Sequence, residues 1–361
     1  MNTEERMKID IAKGIGIILV VVGHADSPFL NFIYSFHMAL FLMISGYCYN
    51  NSHNNSLKKI REYIFSKIKR LYIPFVLINF LFVTIDIIYS IIFHTPLILK
   101  ELIINIIKVI CFAHYETALG NFGSSIWFVR VLFIISITWC IIMFFLDKIK
   151  FNNPYGRIAA GMLFVLIGNL LSMEGISIPG NVDAAITGVG LYALGYELKE
   201  LQYNRLIDKS WKIAIILFIS IVGLGIISTQ EITSIGANSY SSLLALILGA
   251  LFGWFSVLIF SGIIVKSKVL TKILSYIGKR TFSIMFFHIM AFKIVGCFQY
   301  IINNGTHNLS ELENILRYDG SHGWWIIYSI VGLGIPLLMD DCYDRFKVLF
   351  GKVFLKKKQG D

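Results

Sequence analysis

The feature that most limits what this chain can become is a series of apolar runs, recurring along its whole length, each able to cross a hydrocarbon layer as a helix. They fall at Ile9–Val22, Phe29–Tyr49, Leu71–Phe93, Ser125–Leu146, Ile158–Leu171, Ala184–Leu198, Trp211–Ile227, Tyr240–Val265, Phe282–Ile302 and Trp324–Met339. A helix rises 1.5 Å per residue, so about 20 apolar residues cover a hydrocarbon core roughly 30 Å thick. Backbone amides in lipid find no water, so each such run must satisfy its hydrogen bonds internally, as a helix does. Charged residues make up only 15% of the 361 positions, against roughly 25% in soluble domains. The predicted fold is all-α: a polytopic integral membrane bundle of about ten transmembrane helices. Leu97–Phe112 is apolar but interrupted by Lys100, Glu101 and Lys108, and reads as an interfacial amphipathic helix, with an eleventh span as the rival.

The basic residues orient this bundle. The connections after the second, fourth, sixth and eighth runs carry clusters: Lys58 to Arg70, then Lys148, Lys150 and Arg157, then Lys199 to Lys212, then Lys266 to Arg280. Arg6, Lys8 and Lys13 stand at the start and six basic residues from Arg345 to Lys358 at the end, whereas the opposite loops hold only Lys100, Lys108 and Arg317. Positive loops stay inside, so both termini are predicted to be cytoplasmic, with residues 1–345 as one membrane domain and 346–361 as a basic cytoplasmic tail. The net charge of +10 is then accounted for by topology and contact with anionic lipid, and nucleic acid is not an expected partner. The run after Arg6 and Lys8 contains Lys13 and is followed by no A-x-A-like site, so it reads as a helix of the mature protein and not as a signal peptide. Five scattered cysteines with no CxxC pair suggest neither a disulfide framework nor a metal site.

Against this apolar background the opening stretch stands out, because Asp10, Lys13, His24 and His37 interrupt it. Ionisable groups in such segments are costly and face a protein interior or a wet cavity. Lys13 and His24 are eleven residues apart, which at ~100° per residue returns them to within ~20° of one helical face, about 16 Å apart along the axis. One face therefore offers an ammonium near the inner side and an imidazole near the outer side. With the predicted orientation, His37, Asp86 and Arg130 also fall at outer depths. A lone histidine at a helix end is commonly a solvated cap, and Lys13 could snorkel to the interface. For His37 and Arg130 the structural and functional readings stay open.

The segment D-x-x-K-G-x-x-I-x-x-V-x-x-G-H, carried by Asp10, Lys13, Gly14, Ile17, Val20, Gly23 and His24, resembles the first helix of the membrane acyltransferase 3 family, in particular its fucose 4-O-acetylase-like branch. Further resemblances follow in the family's order. They are FHMALFLMISGY with His37, Ser45 and Tyr47, KIKRLYIPF with Lys67, Arg70 and Pro74, IWFVRVLF with Trp127 and Phe128, and YIGKRTFSIMFFH with Gly278 and His288. Ala39 stands where the family often has Pro, and Lys13 and Lys67 stand where many members have Arg, which removes a bidentate fork while keeping the charge.

The resemblance implies an enzyme of the plasma membrane that moves an acyl group, usually acetyl from acetyl-CoA, to a hydroxyl of a carbohydrate acceptor in the cell envelope, with no metal. It places His24 as general base with Lys13 and Asp10 beside it. Lys13, Lys67 and Arg70 would hold the donor, while His37, Arg130, Ser45 and His288 would meet the acceptor. A transporter or flippase is the main rival, with a non-catalytic sensing module of the same fold as another; the halves show no self-similarity of the kind transporters carry. The sequence leaves the acceptor sugar, the length of the acyl group, a covalent intermediate and the oligomeric state open.

Overall fold

The computed structural model describes residues 2–93, 98–112, 125–201, 210–230, 232–304 and 319–357. Among these the architecture is helical, and the single β-bridge joins Ser234 to Ser239. The helices are α1 (Thr3–His24), α2 (Leu30–Tyr34), α3 (His37–Tyr47), α4 (Leu57–Lys67), α5 (Ile73–Phe93), α6 (Leu99–Ile110) and α7 (Trp127–Lys148). They continue with α8 (Pro154–Met173), α9 (Val182–Glu200), α10 (Ser210–Ile227), α11 (Leu243–Ile264), α12 (Lys268–Lys279), α13 (Thr281–Asn304) and α14 (Trp324–Lys357). Side-chain caps start several of them: Asn2 accepts from the Glu5 amide in α1, Asn153 from Gly156 ahead of Pro154 in α8, and Ser242 from Ala245 in α11.

Eight of the described segments are long and apolar enough to cross a membrane. Two of the ten predicted runs are missing from that set, and they are the ones now enclosed by protein. α1 carries Lys8, Asp10 and Lys13, and α9 carries Asp183, Glu197 and Lys199. A helix wrapped by other helices can hold polar groups that a lipid-facing one cannot. Lipid-facing character is plain elsewhere: Leu77, Ile88 and Ile91 on α5, Leu163 and Leu170 on α8, and Phe218 and Ile226 on α10 are all exposed. The α6 helix leaves Leu99, Ile103 and Ile107 exposed with only Val109 buried, the pattern expected of a helix lying in an interface.

Three boundaries depart from the sequence reading. The predicted span Phe29–Tyr49 is broken at Phe36, whose φ of −149° and ψ of −21° interrupt the helix between α2 and α3. Leu71–Phe93 is preceded without a break by a π-helical turn, Ile68–Tyr72, which joins α4 to α5. The helix beginning at Trp324 runs on through Lys357, well past the predicted end of that span at Met339.

Glycine sets a close crossing of α12 on α1. A methyl group at Gly278 would lie 1.8 Å from the Asp10 carbonyl oxygen, and one at Gly14 would lie 2.2 Å from that of Leu274. α12 therefore lies directly against the backbone of α1, which holds the Asp10–Lys13 turn in place. At the far side of the core, Arg157 of α8 and Glu197 of α9 form a bidentate ion pair, with side chains 8% and 6% exposed. The sequence reading assigned Arg157 to the positively charged inner face alone; its partner Glu197 lies 40 residues away.

Candidate functional site

α1 delivers its polar residues to one elongated cavity of about 470 Å³. Asp10 and Lys13 line one end and His24 the other, with Ile17 and Val20 between them on the same helical face. The predicted eleven-residue spacing is thus realised as a passage along the helix. Asp10 and Lys13 are 3.5 Å apart, one turn of helix, both partly exposed. The opposite wall comes from Tyr34, His37, Met38, Phe41 and Ser45, and Trp127, Phe128 and the segment Thr233–Gly236 add to the lining.

A second cavity, of about 530 Å³, meets the first at Lys13, Ile44 and Ser45, which line both. Its character is different. Lys67 and Arg70 supply positive charge, Lys59 is paired at 2.9 Å with Glu62 of the same lining, and His53 and Tyr63 form an aromatic pair with ring centroids 4.6 Å apart and planes 29° from parallel. Burial, together with the nearby ammonium groups of Lys67 and Lys59, holds the His53 pKa below its ordinary value of 6.5. The ammonium of Lys67 lies 5.1 Å from the Tyr63 ring centroid, within cation–π range. A basic, aromatic chamber that shares Lys13 with a more apolar neighbour is suited to an anionic ligand that carries an aromatic ring.

At the other end of the cavity from Lys13, His24 Nδ1 stands 3.0 Å from His288 Nε2. His288 Nδ1 in turn is 2.7 Å from the carbonyl oxygen of Ile284, and His37 Nδ1 is 2.9 Å from that of Ile33. His288 is fully buried. It sits behind His24 and does not line the cavity. Tyr34 lies between the other two imidazoles, 6.1 Å from His24 and 4.7 Å from His37 by ring centroid.

The structure thus brings Asp10, Lys13, His24, His37 and Ser45 around one cavity, and Lys67 and Arg70 around its neighbour. Two residues read as acceptor contacts are engaged elsewhere. Arg130 donates to the Phe112 carbonyl at 3.0 Å and to the Asn181 side chain, and is absent from the lining of either cavity. Ser45 lines both cavities, but its hydroxyl proton goes to the Phe41 carbonyl at 2.8 Å, leaving only its oxygen to accept. Arg280, which also stood in a basic cluster, faces Asp341 at 3.1 Å, Asp344 at 3.3 Å and Asp340 at 3.9 Å on α14, and its guanidinium stacks on Tyr276.

Lining residues that the sequence does not single out are His53 and Tyr63 in the basic cavity and Tyr34, Thr281 and the Thr233–Gly236 segment in the other, while Lys59 and Lys279 stand in the sequence only as members of basic clusters. Position 231 and residues 113–124 and 305–318 lie outside the described residues, so Arg317, read as an outer-loop cation, has no place assigned. Among the described residues no group of His, Cys, Asp and Glu is arranged to hold a metal ion.

No curated protein and no solved structure matches the chain significantly. A family model described as an acyltransferase domain, acyltransferase 3, matches residues 7–340, which includes every residue of both cavities and both His24 and His288. The chain therefore belongs to the acyltransferase 3 family of multi-pass membrane acyltransferases.

Proposed function

We propose that the protein is a membrane O-acetyltransferase of the fucose 4-O-acetylase-like branch, taking acetyl from cytoplasmic acetyl-CoA and placing it on a carbohydrate hydroxyl of the cell envelope. In this reading ten helices cross the plasma membrane, the eight apolar ones and the enclosed α1 and α9, with both termini in the cytoplasm. The observation that carries it is the pair of abutting cavities. A basic chamber lined by Lys59, Lys67 and Arg70 meets, at Lys13, a passage that ends at His24.

The residues fit the donor. Lys67, Arg70 and Lys59 match the phosphates and the His53–Tyr63 face offers stacking for the adenine, while Lys13 receives the pantetheine arm at the neck. Asp10 restrains the Lys13 ammonium from one turn away. The thioester then lies in the apolar middle of the passage, beside Ile17 and Val20, with its carbonyl carbon near His24. A sugar hydroxyl is a poor nucleophile at neutral pH and needs a base within hydrogen-bond reach, which His24 provides. As the hydroxyl oxygen bonds to the acetyl carbon, its proton passes to His24. The carbon–sulfur bond breaks, and the departing thiolate takes that proton back. His37, across the same cavity, is placed to meet the acceptor.

The test is made in the native host. Surface glycans from a strain lacking the protein should lose O-acetyl groups by mass spectrometry, and the loss should be reversed by the wild-type protein but not by His24→Ala at equal membrane abundance. Full restoration by His24→Ala would remove the histidine from the mechanism, and unchanged glycans in the deletion strain would remove the envelope acceptor.

A further inference from the structure

We infer that His288 is a positioning residue for His24, fixing which of its two ring nitrogens is the base, and that the basic nitrogen is Nε2. The inference rests on the reading of His24 as general base and assigns His288, which the resemblance placed among acceptor contacts, a different task.

The argument begins at a backbone carbonyl. The Ile284 oxygen, one turn back along α13, has only lone pairs to offer, so the His288 Nδ1 at 2.7 Å must carry a hydrogen. His288 is 0% exposed, and a charge there would be costly without a paired carboxylate. A neutral imidazole holds one N–H, so Nε2 of His288 is left as an acceptor. At 3.0 Å from it stands Nδ1 of His24. Two lone pairs facing one another at that distance would repel, so His24 Nδ1 carries the hydrogen and donates it. The ring geometry agrees: centroids 5.1 Å apart with planes only 23° from parallel set the rings nearly edge to edge, with the nitrogens in line. His24 Nε2 is then the lone-pair nitrogen, on a ring that lines the cavity.

The relay is consequently carbonyl, His288, His24, hydroxyl. In the transfer, the acceptor's proton moves to His24 Nε2 as the oxygen–carbon bond forms. The thiolate released by cleavage of the carbon–sulfur bond removes the proton from the same nitrogen, and both rings return to their starting state. His24 Nδ1–H keeps donating to His288 throughout, and successive hydrogen bonds in such a chain polarise one another. Without an acceptor at position 288, His24 can place its hydrogen on Nε2, where it blocks proton uptake. General-base assistance contributes typically about 10²- to 10⁴-fold, so its loss should appear in turnover and not in donor binding.

The experiment measures transfer of labelled acetyl from acetyl-CoA into the endogenous glycan of native membranes. His288→Phe, which keeps the bulk and removes the acceptor, should lower apparent kcat about 100-fold while leaving KM for acetyl-CoA within about twofold. His288→Gln, whose side-chain oxygen reaches the place of Nε2, should recover kcat to within about tenfold of wild type. Unchanged turnover in His288→Phe, or equal loss in both variants at equal abundance, would overturn the inference. Where His288→Phe does not accumulate, 15N spectra of histidine-labelled wild-type protein decide the matter: His24 must be protonated at Nδ1 and bare at Nε2, and the reverse tautomer overturns it. His24→Ala run beside these variants separates the two claims, since activity persisting there sinks the base assignment, whereas loss there with normal turnover in His288→Phe sinks only the positioning role.

Discussion

At the scale of single residues, the chemistry depends on side chains whose neighbours differ sharply over short distances. His53 illustrates this. In the free protein its protonation is disfavoured by burial and by Lys67 and Lys59, and a polyanion entering the same chamber reverses the local field. The bound state then takes up a proton more readily than the free one, so affinity for acetyl-CoA should rise as pH falls below about 7, and the dependence should flatten in His53→Gln, as read by calorimetric titration across that range. Lys13 and His24 could be found from sequence because helical periodicity alone places them on one face. His288 could be found but not interpreted: its partner lies 264 residues away, and its meaning depends on a tautomer set by a carbonyl. Arg130 shows the complementary case: two of its guanidinium nitrogens donate to Phe112 and Asn181, partners that no spacing encodes.

At the scale of elements, the helices divide into those that face lipid and those that hold the site. The lipid-facing ones follow hydropathy closely, because their surroundings are uniform. α1 and α9 do not, since their surroundings are other helices, and here the distant pair Arg157–Glu197 matters. Removing one partner leaves a buried charge uncompensated, so Glu197→Ala should lower stability by about 3–5 kcal/mol, seen as a fall in thermal unfolding temperature in detergent or as loss of folded protein from membranes. The break at Phe36 escaped prediction because FIYSFHMALF contains no Gly or Pro to mark it. Its effect is to let α2 and α3 present Tyr34 and His37 to one cavity from two helix directions.

At the scale of the whole molecule, the two cavities share Lys13, Ile44 and Ser45, and on the proposed reading they would form one lining that leads from the donor site to His24. Any such conduit threatens the ionic gradients on which a cell depends. Where the two cavities meet, Lys13, Ile44 and Ser45 line both. A fixed positive charge on such a path raises the barrier to protons and metal cations while it favours a polyanion. Lys13→Gln in proteoliposomes should accordingly increase potassium and proton leak over wild type, measured with entrapped fluorescent indicators, and an unchanged leak would place the barrier elsewhere. On the proposed reading a single lysine charge would serve twice at this point, drawing in the carrier and insulating the membrane while the door stands open.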